Sequence, residues 1–253
     1  MPDKAPIERT PTPASAPRWP ERGPQGPSQG DPVGQRLLEA AVAGLETPTP
    51  ARPSRAEVEQ AVRTLIAWAG DDPERPGLQS TPQRVADAFG ELFSGYEADP
   101  VSLLRRSLIA ADTGGQLVLL RRVRFVSFCE HHLLPFTGHV DVGYVPRRHA
   151  VGLGAVAAAV DAVARRLQIQ ERITDQIASA IAEALDPMGV AVVVRAEHQC
   201  LAARGARKAG AQLVTSRQLG SLGPDHGLGQ AFFGMVNAPA PASSDAEETV
   251  PWR

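Results

Sequence analysis

The chain has 253 residues, 43% of them hydrophobic and 21% charged, with a formal net charge of −2 and a sequence pI near 6.3. That is enough apolar material for a substantial core, and the charge balance excludes a molecule built as a whole to grip nucleic acid or an anionic membrane surface. The opening residues lack the apolar run of a signal peptide and no later run is long enough to cross a bilayer, so a cytoplasmic protein without a membrane partner is expected. Its two cysteines exclude a disulfide framework and are expected as free thiols, open to metal binding or simple burial.

Residues 1–53 carry 12 of the 23 prolines among Gly, Ser and Gln. Such a composition cannot bury enough apolar surface to offset its own ordering entropy, so the segment reads as a disordered tail in which only the stretch 36–42 has short-helix character. Regular patterning begins at Ser54-Arg55-Ala56-Glu57, a capping box followed by Val58, Val62, Leu65 and Ile66 at helical spacing. Thr81 as N-cap with Pro82 behind it predicts a second helix with Val85, Phe89, Leu92 and Phe93 on one face, ending before Gly95.

The period then changes. Residues 117–128, rich in Val, Leu and Phe with Arg122, Arg124 and Ser127 interspersed, read as a half-buried strand, and 139–145 alternates with Val140, Val142 and Tyr144 on one face. Helical spacing returns over 155–167 and 171–185, where Ile173, Ile177, Ile181 and Leu185 recur every four residues and Pro187 and Gly189 close the run. Residues 189–196 and 212–219 read as two more strands, and 237–253 as a loose Ala/Pro/Ser/Glu-rich end. Two helices, a strand pair, two helices and a strand pair predict one α+β domain over 54–236, an antiparallel sheet backed by helices, with no internal sequence repeat.

The chemistry-bearing residues gather at the two strand junctions. Cys129 and His132 are spaced so that a thiolate and an imidazole can reach one ion from a single turn, and Cys200, with His198 two residues before it, lies at the other junction. If the two strand pairs lie side by side, both junctions face one pocket. One Cys-x-x-His arises by chance and a free Cys is commonly just buried, but the second Cys with its His favours a metal, and zinc suits a mixed Cys/His set. Three ligands, Cys129, His132 and Cys200, leave a fourth tetrahedral position for water, the arrangement of a catalytic zinc. His131 and His198 then stand by to move protons, or are merely surface imidazoles at a turn.

These residues carry a resemblance. Cys129-Glu130-His131-His132 with Leu134-Pro135-Phe136, Gly143-Tyr144-Val145-Pro146, Gln168-Ile169-Gln170-Glu171-Arg172-Ile173-Thr174, His198-Gln199-Cys200 with Arg204-Gly205, and Val214-Thr215-Ser216 before Leu219-Gly220 resemble the GTP cyclohydrolase I family in content and order. Upstream, Thr81-Pro82-Gln83-Arg84-Val85 and Leu92-Phe93-Ser94-Gly95-Tyr96 do so too, so the resemblance runs from about residue 54 to 236.

The resemblance implies a tunnelling fold of paired ββαα-type units, assembled into a ring-shaped homodecamer with active sites between subunits. It implies conversion of GTP and water to dihydroneopterin triphosphate and formate, the first step of folate and pterin biosynthesis. Position by position, Cys129, His132 and Cys200 would hold Zn2+, whose water attacks C8 of the guanine; His131 would protonate N7, and His198 would assist later proton transfers. Glu171 would hold the guanine with support from Gln170, and Arg84 and Arg204 would grip the triphosphate. The chemistry agrees at Glu171, since a carboxylate accepts from both N1–H and the exocyclic amine of guanine; a first-turn acid favoured by the helix dipole is its plainer reading. Taken alone, Arg84 and Arg204 read as solvated surface arginines.

The chain departs from the family after Gly152-Leu153. Where the family has Ser, Lys and, three residues on, Arg, this chain has Gly154, Ala155 and Ala158. Losing two charged hydrogen bonds of about 1.5–3 kcal/mol each weakens triphosphate binding by about two to four decades unless other cations substitute. Arg147, Arg148, Arg165, Arg166, Arg207, Lys208 and Arg217 are the candidates. Two alternatives follow: a paralogue acting on another purine nucleotide or stopping after ring opening, and a catalytically silent zinc-containing scaffold.

Overall fold

The computed structural model describes residues 52–111 and 115–239; most of the N-terminal tail, its 36–42 stretch and residues 240–253 lie outside them. Helix α1 (Arg55–Trp68) opens with the capping box read from the sequence: the Ser54 hydroxyl accepts from the Glu57 N–H at 3.3 Å, and the Glu57 carboxylate accepts from the Ser54 N–H at 2.8 Å. Helix α2 (Thr81–Leu92) starts one residue earlier than expected, with Ser80 as N-cap and no side-chain cap bond. Pro82 therefore sits within the first turn, where a missing N–H forfeits no helical bond. The two helices pack on each other, yet no α1 residue is buried and Trp68 is 88% exposed. Of the apolar residues of α1, Val58, Val62 and Ile66 are half-buried, whereas Leu65 and Trp68 face solvent in the single chain.

A 3-10 turn (Ser94–Glu97) leads to α3 (Pro100–Arg105), which the sequence reading did not anticipate. Its N-cap Asp99 accepts from the N–H groups of Val101 and Ser102 at 3.2 and 3.1 Å.

The main sheet comprises β2 (Val118–Cys129), β3 (Pro135–Val145), β5 (Leu167–Gln168), β6 (Gly189–His198) and β7 (Gln212–Gly220), ordered β5-β2-β3-β6-β7. A separate two-stranded piece pairs β1 (Leu108–Ala110) with β4 (His149–Val151). The expected antiparallel sheet is found across β2, β3, β6 and β7, but β5 runs parallel to the end of β2, Phe128 opposite Leu167, so the sheet is mixed at that edge. Helix α4 (Leu153–Ala164) accordingly ends three residues short of the expected 167: Arg165 leaves the helical conformation and Leu167 is extended to pair with β2. Helix α5 (Gln170–Leu185) follows.

Alternation along the strands separates two apolar clusters. Val140, Val142 and Tyr144 of β3 and Val190, Val192 and Val194 of β6 meet Val160 of α4 and Ile173, Ile177 and Ile181 of α5. On the other face Val145, Ala191 and Val193 meet Leu222 and, from α7 (Gly227–Asn237), Phe232 and Val236. Gly143 permits that approach, since a Cβ there would stand 2.6 Å from the Phe232 ring. Strand β6 is covered on both faces, which is why it reads as an unbroken apolar run. The β3–β6 pairing, with Phe136 opposite His198, puts the two strand junctions side by side.

Candidate metal centre and neighbouring cleft

The first junction is a tight turn. Cys129, the last residue of β2, donates its N–H to Leu134 O at 2.9 Å and its own carbonyl accepts from Leu133 N–H at 2.9 Å and His132 N–H at 3.3 Å. Leu133 closes the turn in the left-handed region, φ 55°. Glu130 fixes the turn from outside: its backbone N–H reaches Gln168 O at 3.1 Å, and its carboxylate takes both terminal nitrogens of Arg172, at 2.6 and 3.4 Å. At the second junction β6 ends in one turn of helix, α6 (Gln199–Ala202), which carries Cys200.

The ligand atoms of Cys129, His132 and Cys200 all lie within 4.8 Å of one another, with Cys129 Sγ 3.7 Å from His132 Nδ1. Tetrahedral zinc bonds to sulfur and nitrogen place ligand atoms about 3.5–3.8 Å apart, so the three residues fit a zinc ion with little adjustment. Cys129 is buried and Cys200 half-buried, both free. Burial pushes the Cys200 thiol up from its ordinary range, the nearby Cys129 sulfur adds to this, and the Arg204 cation opposes it. A thiol placed as Cys200 is becomes a good thiolate only beside a divalent cation. His131 is exposed and its Nδ1 also lies 3.7 Å from Cys129 Sγ, so both imidazoles flank one sulfur.

His198 is held on two sides. Its ring stacks on Phe136, centroids 4.3 Å apart and planes 7° from parallel, and its Nε2 lies 2.9 Å from Gln170 Oε1. The Gln170 amide nitrogen donates to Val194 O and Leu213 O, both at 3.0 Å, which fixes which end of the amide faces the imidazole. His198 therefore carries its proton on Nε2 and leaves Nδ1 as its open nitrogen. Burial holds the imidazole below its usual pKa, and Glu171 partly offsets this. Gln170 itself is 1% exposed, so its side chain serves His198 and strands β6 and β7 rather than an open surface. Phe136, Glu130 and Arg172 were not among the residues singled out from sequence; only the Phe136↔His198 register and the fold of α5 onto the turn bring them in.

Glu171, exposed in the first turn of α5, opens onto a cleft of about 300 Å³ lined also by Thr174, Asp175, Thr215, Ser216 and Arg217. Thr174 and Thr215 share a hydrogen bond at 2.6 Å. Arg84 and Arg204 are exposed. Of the candidate substitute cations, four are engaged: Arg147 with Asp186, Arg217 with Asp175, Arg165 with Glu91 O, and Arg166 with Gly95 O, Ala162 O and Ala98 O. Arg148, Arg207 and Lys208 are exposed. At the start of α4 a Cβ on Gly154 would meet nothing within 4 Å.

A family model described as GTP cyclohydrolase I matches residues 58–237. A GTP cyclohydrolase 1 from Allorhizobium ampelinum is 46% identical over 199 residues, 79% of this chain and 98% of that one. Another, from Brucella anthropi, is 49% identical over 173 residues, 68% of this chain and 80% of its own. Among solved structures, the archaeosine synthase QueF-Like in the apo form is similar over 41% of this chain and 93% of its own, at 21% identity and a TM-score of 0.35.

Proposed function

This chain belongs to the GTP cyclohydrolase I family and is an enzyme of that kind; from that premise we propose that it is zinc-dependent and converts GTP and water to dihydroneopterin triphosphate and formate. The observation that carries the reading is the convergence of Cys129, His132 and Cys200 within 4.8 Å, beside two further histidines. When bound there, zinc supplies Lewis acidity and a water acidic enough to attack a carbon at neutral pH. The protein's own groups do the rest.

Glu171 accepts from N1–H and the exocyclic amine of guanine, a paired contact adenine cannot make, and the cleft beside it has room for a purine base. His131, exposed on the turn, donates a proton to N7 as the C8 centre becomes tetrahedral. His198, its Nε2 proton committed to Gln170, offers Nδ1 for the proton transfers of ring opening. Arg84 and Arg204 take the phosphates, helped by Arg148, Arg207 or Lys208 in place of the family's side chains at Gly154, Ala155 and Ala158.

Assembly belongs to the same reading. The outer edge of β7 and most of the outer edge of β2 have no strand partner among the described residues. Two complementary edges on one chain pair head to tail, and such contacts close into rings; a decamer is the expected form. The exposed Leu65 and Trp68 of α1 are a further surface for such contacts. Among the described residues no helix is long and apolar enough to cross a membrane.

The bare start of α4 favours one second reading, an enzyme that releases formate from a purine nucleotide without completing the pterin. Incubation with GTP, with and without a zinc chelator, while following formate and the ultraviolet spectrum and mass of the product, separates the readings. Chelator-sensitive formate with dihydroneopterin triphosphate supports the first; formate without the pterin supports the second. No consumption of any purine nucleotide would sink both.

A further inference from the structure

The sheet face that carries α7 holds a cluster of charge that the reaction does not use. A bulge in β2 between Leu120 and Val123 inserts Arg121 and Arg122 opposite Asp141, and beyond it Arg124, His139 and Arg195 are register partners in one row across β2, β3 and β6. Among the described residues here Asp141 is the one carboxylate, 1% exposed and already committed: one oxygen accepts from the Arg122 N–H at 2.9 Å, the other from Arg195 Nη1 at 2.7 Å.

All of these side chains except Arg124 line, with the end of α7, a cavity of about 270 Å³. Arg121 spans it, donating from Nη2 to Val236 O at 3.2 Å and Ala238 O at 2.7 Å, while its buried Nε has no hydrogen-bond partner. Arg195 is steadied by Asn237 Oδ1 at 2.9 Å. Arg122 is exposed, its guanidinium has no hydrogen-bond partner among the described residues, and its backbone takes φ 59° within the bulge of β2. His139 adds no cation, because burial keeps its imidazole neutral against the pull of Asp141, and Arg195 and Arg122 reinforce this.

Three guanidinium groups thus converge on one occupied carboxylate, those of Arg121 and Arg195 held in place by the chain and that of Arg122 left open, a concentration of positive charge suited to a tetrahedral oxyanion. The cavity exceeds a phosphate group in size, leaving room for what the phosphate is attached to. We propose that this cavity is a second anion site, in which Arg121, Arg122 and Arg195 bind the phosphate group of a small phosphorylated molecule apart from the metal centre.

The probe is inorganic phosphate, titrated calorimetrically into the full chain at constant ionic strength set with chloride. Wild type, Arg122→Ala, Arg195→Ala, Arg204→Ala and a chain ending at Pro239 are compared, with GTP turnover measured in parallel. The site predicts a phosphate-binding event that Arg204→Ala retains and Arg122→Ala weakens at least about tenfold, with turnover per folded molecule unchanged in Arg122→Ala. Arg122 is exposed, so this variant is expected to fold even if Arg195→Ala does not. Phosphate binding indifferent to Arg122→Ala, or abolished by Arg204→Ala alone, would overturn the proposal. So would binding that appears only in the chain ending at Pro239, which would assign the cavity to the acidic residues Asp245, Glu247 and Glu248 that follow it in sequence.

Discussion

The strand junctions and the first turn of α4 are both regions where the chemistry of a nucleotide enzyme is expected, and they are furnished in opposite ways. At the junctions Cys129 is set by a tight turn, Glu130 by Arg172, and His198 by a stacked ring and an amide that is itself bonded to two strands. At the start of α4, Gly154 and Ala155 offer no polar group, and the space beside Gly154 is open. The contrast teaches that, on the proposed reading, the metal site and the phosphate grip are separable demands, and that only the first is held rigidly in this chain.

Substitutions can break or sharpen that contrast. Cys200→Ser, which removes a thiolate ligand while keeping the shape, is expected to lose bound zinc and all detectable turnover; metal analysis alongside a formate assay checks it, and full activity without zinc would break the reading. His131→Ala should keep the metal and lower kcat by about 10²–10⁴-fold, the usual weight of one proton-transfer group. Gln170→Leu should lower turnover by about 10–100-fold and change the shape of the pH–rate profile, since an imidazole freed to change tautomer loses its set orientation; loss of folding without a change in profile would reduce Gln170 to a structural strut. Smallest in size is a gain at the bare end. Ala155→Lys combined with Gly154→Ser should lower the KM for GTP by about tenfold with kcat little changed, the value of one restored charged contact. No change would mean that Arg148, Arg207 or Lys208 already supply the phosphates with charge.

What the sequence disclosed follows from how local each signal is. The capping box at Ser54, the four-residue repeat of α5 and the alternation of β3 are set by neighbours within a few residues, and all three are found. The Cys129/His132/Cys200 group was legible because ligand chemistry restricts residue types so strongly that two short motifs suffice. The N-cap of α2 fell one residue away because Ser80 and Thr81 are both good caps. Helix α3 had a signal, Asp99 followed by Pro100, that went unread. Helix α7 carries Gly227, Gly229 and Gly234 in 11 residues, a poor prospect by propensity; burial of Phe232 and Val236 against the sheet overrides it. The two residues of β5 and the arginine cluster depend on register between strands far apart in sequence, which no local pattern encodes.

The β3–β6 ladder has one more consequence, for the order of events as the chain folds. It joins Phe136 to His198 and Val145 to Gly189, so both long helices must be looped out before its first bond can form. Such non-local pairing is slow, because loop-closure entropy is lost before the contacts compensate. Cys129 and His132 lie three residues apart on one local turn, whereas Cys200, on the helical turn that follows β6, is brought to them only when the ladder has closed in its proper register, since a slip of one residue would turn β6 over and displace the turn it carries. On the proposed zinc reading, tight metal capture is therefore a late event that reports correct strand alignment as well as completing the site.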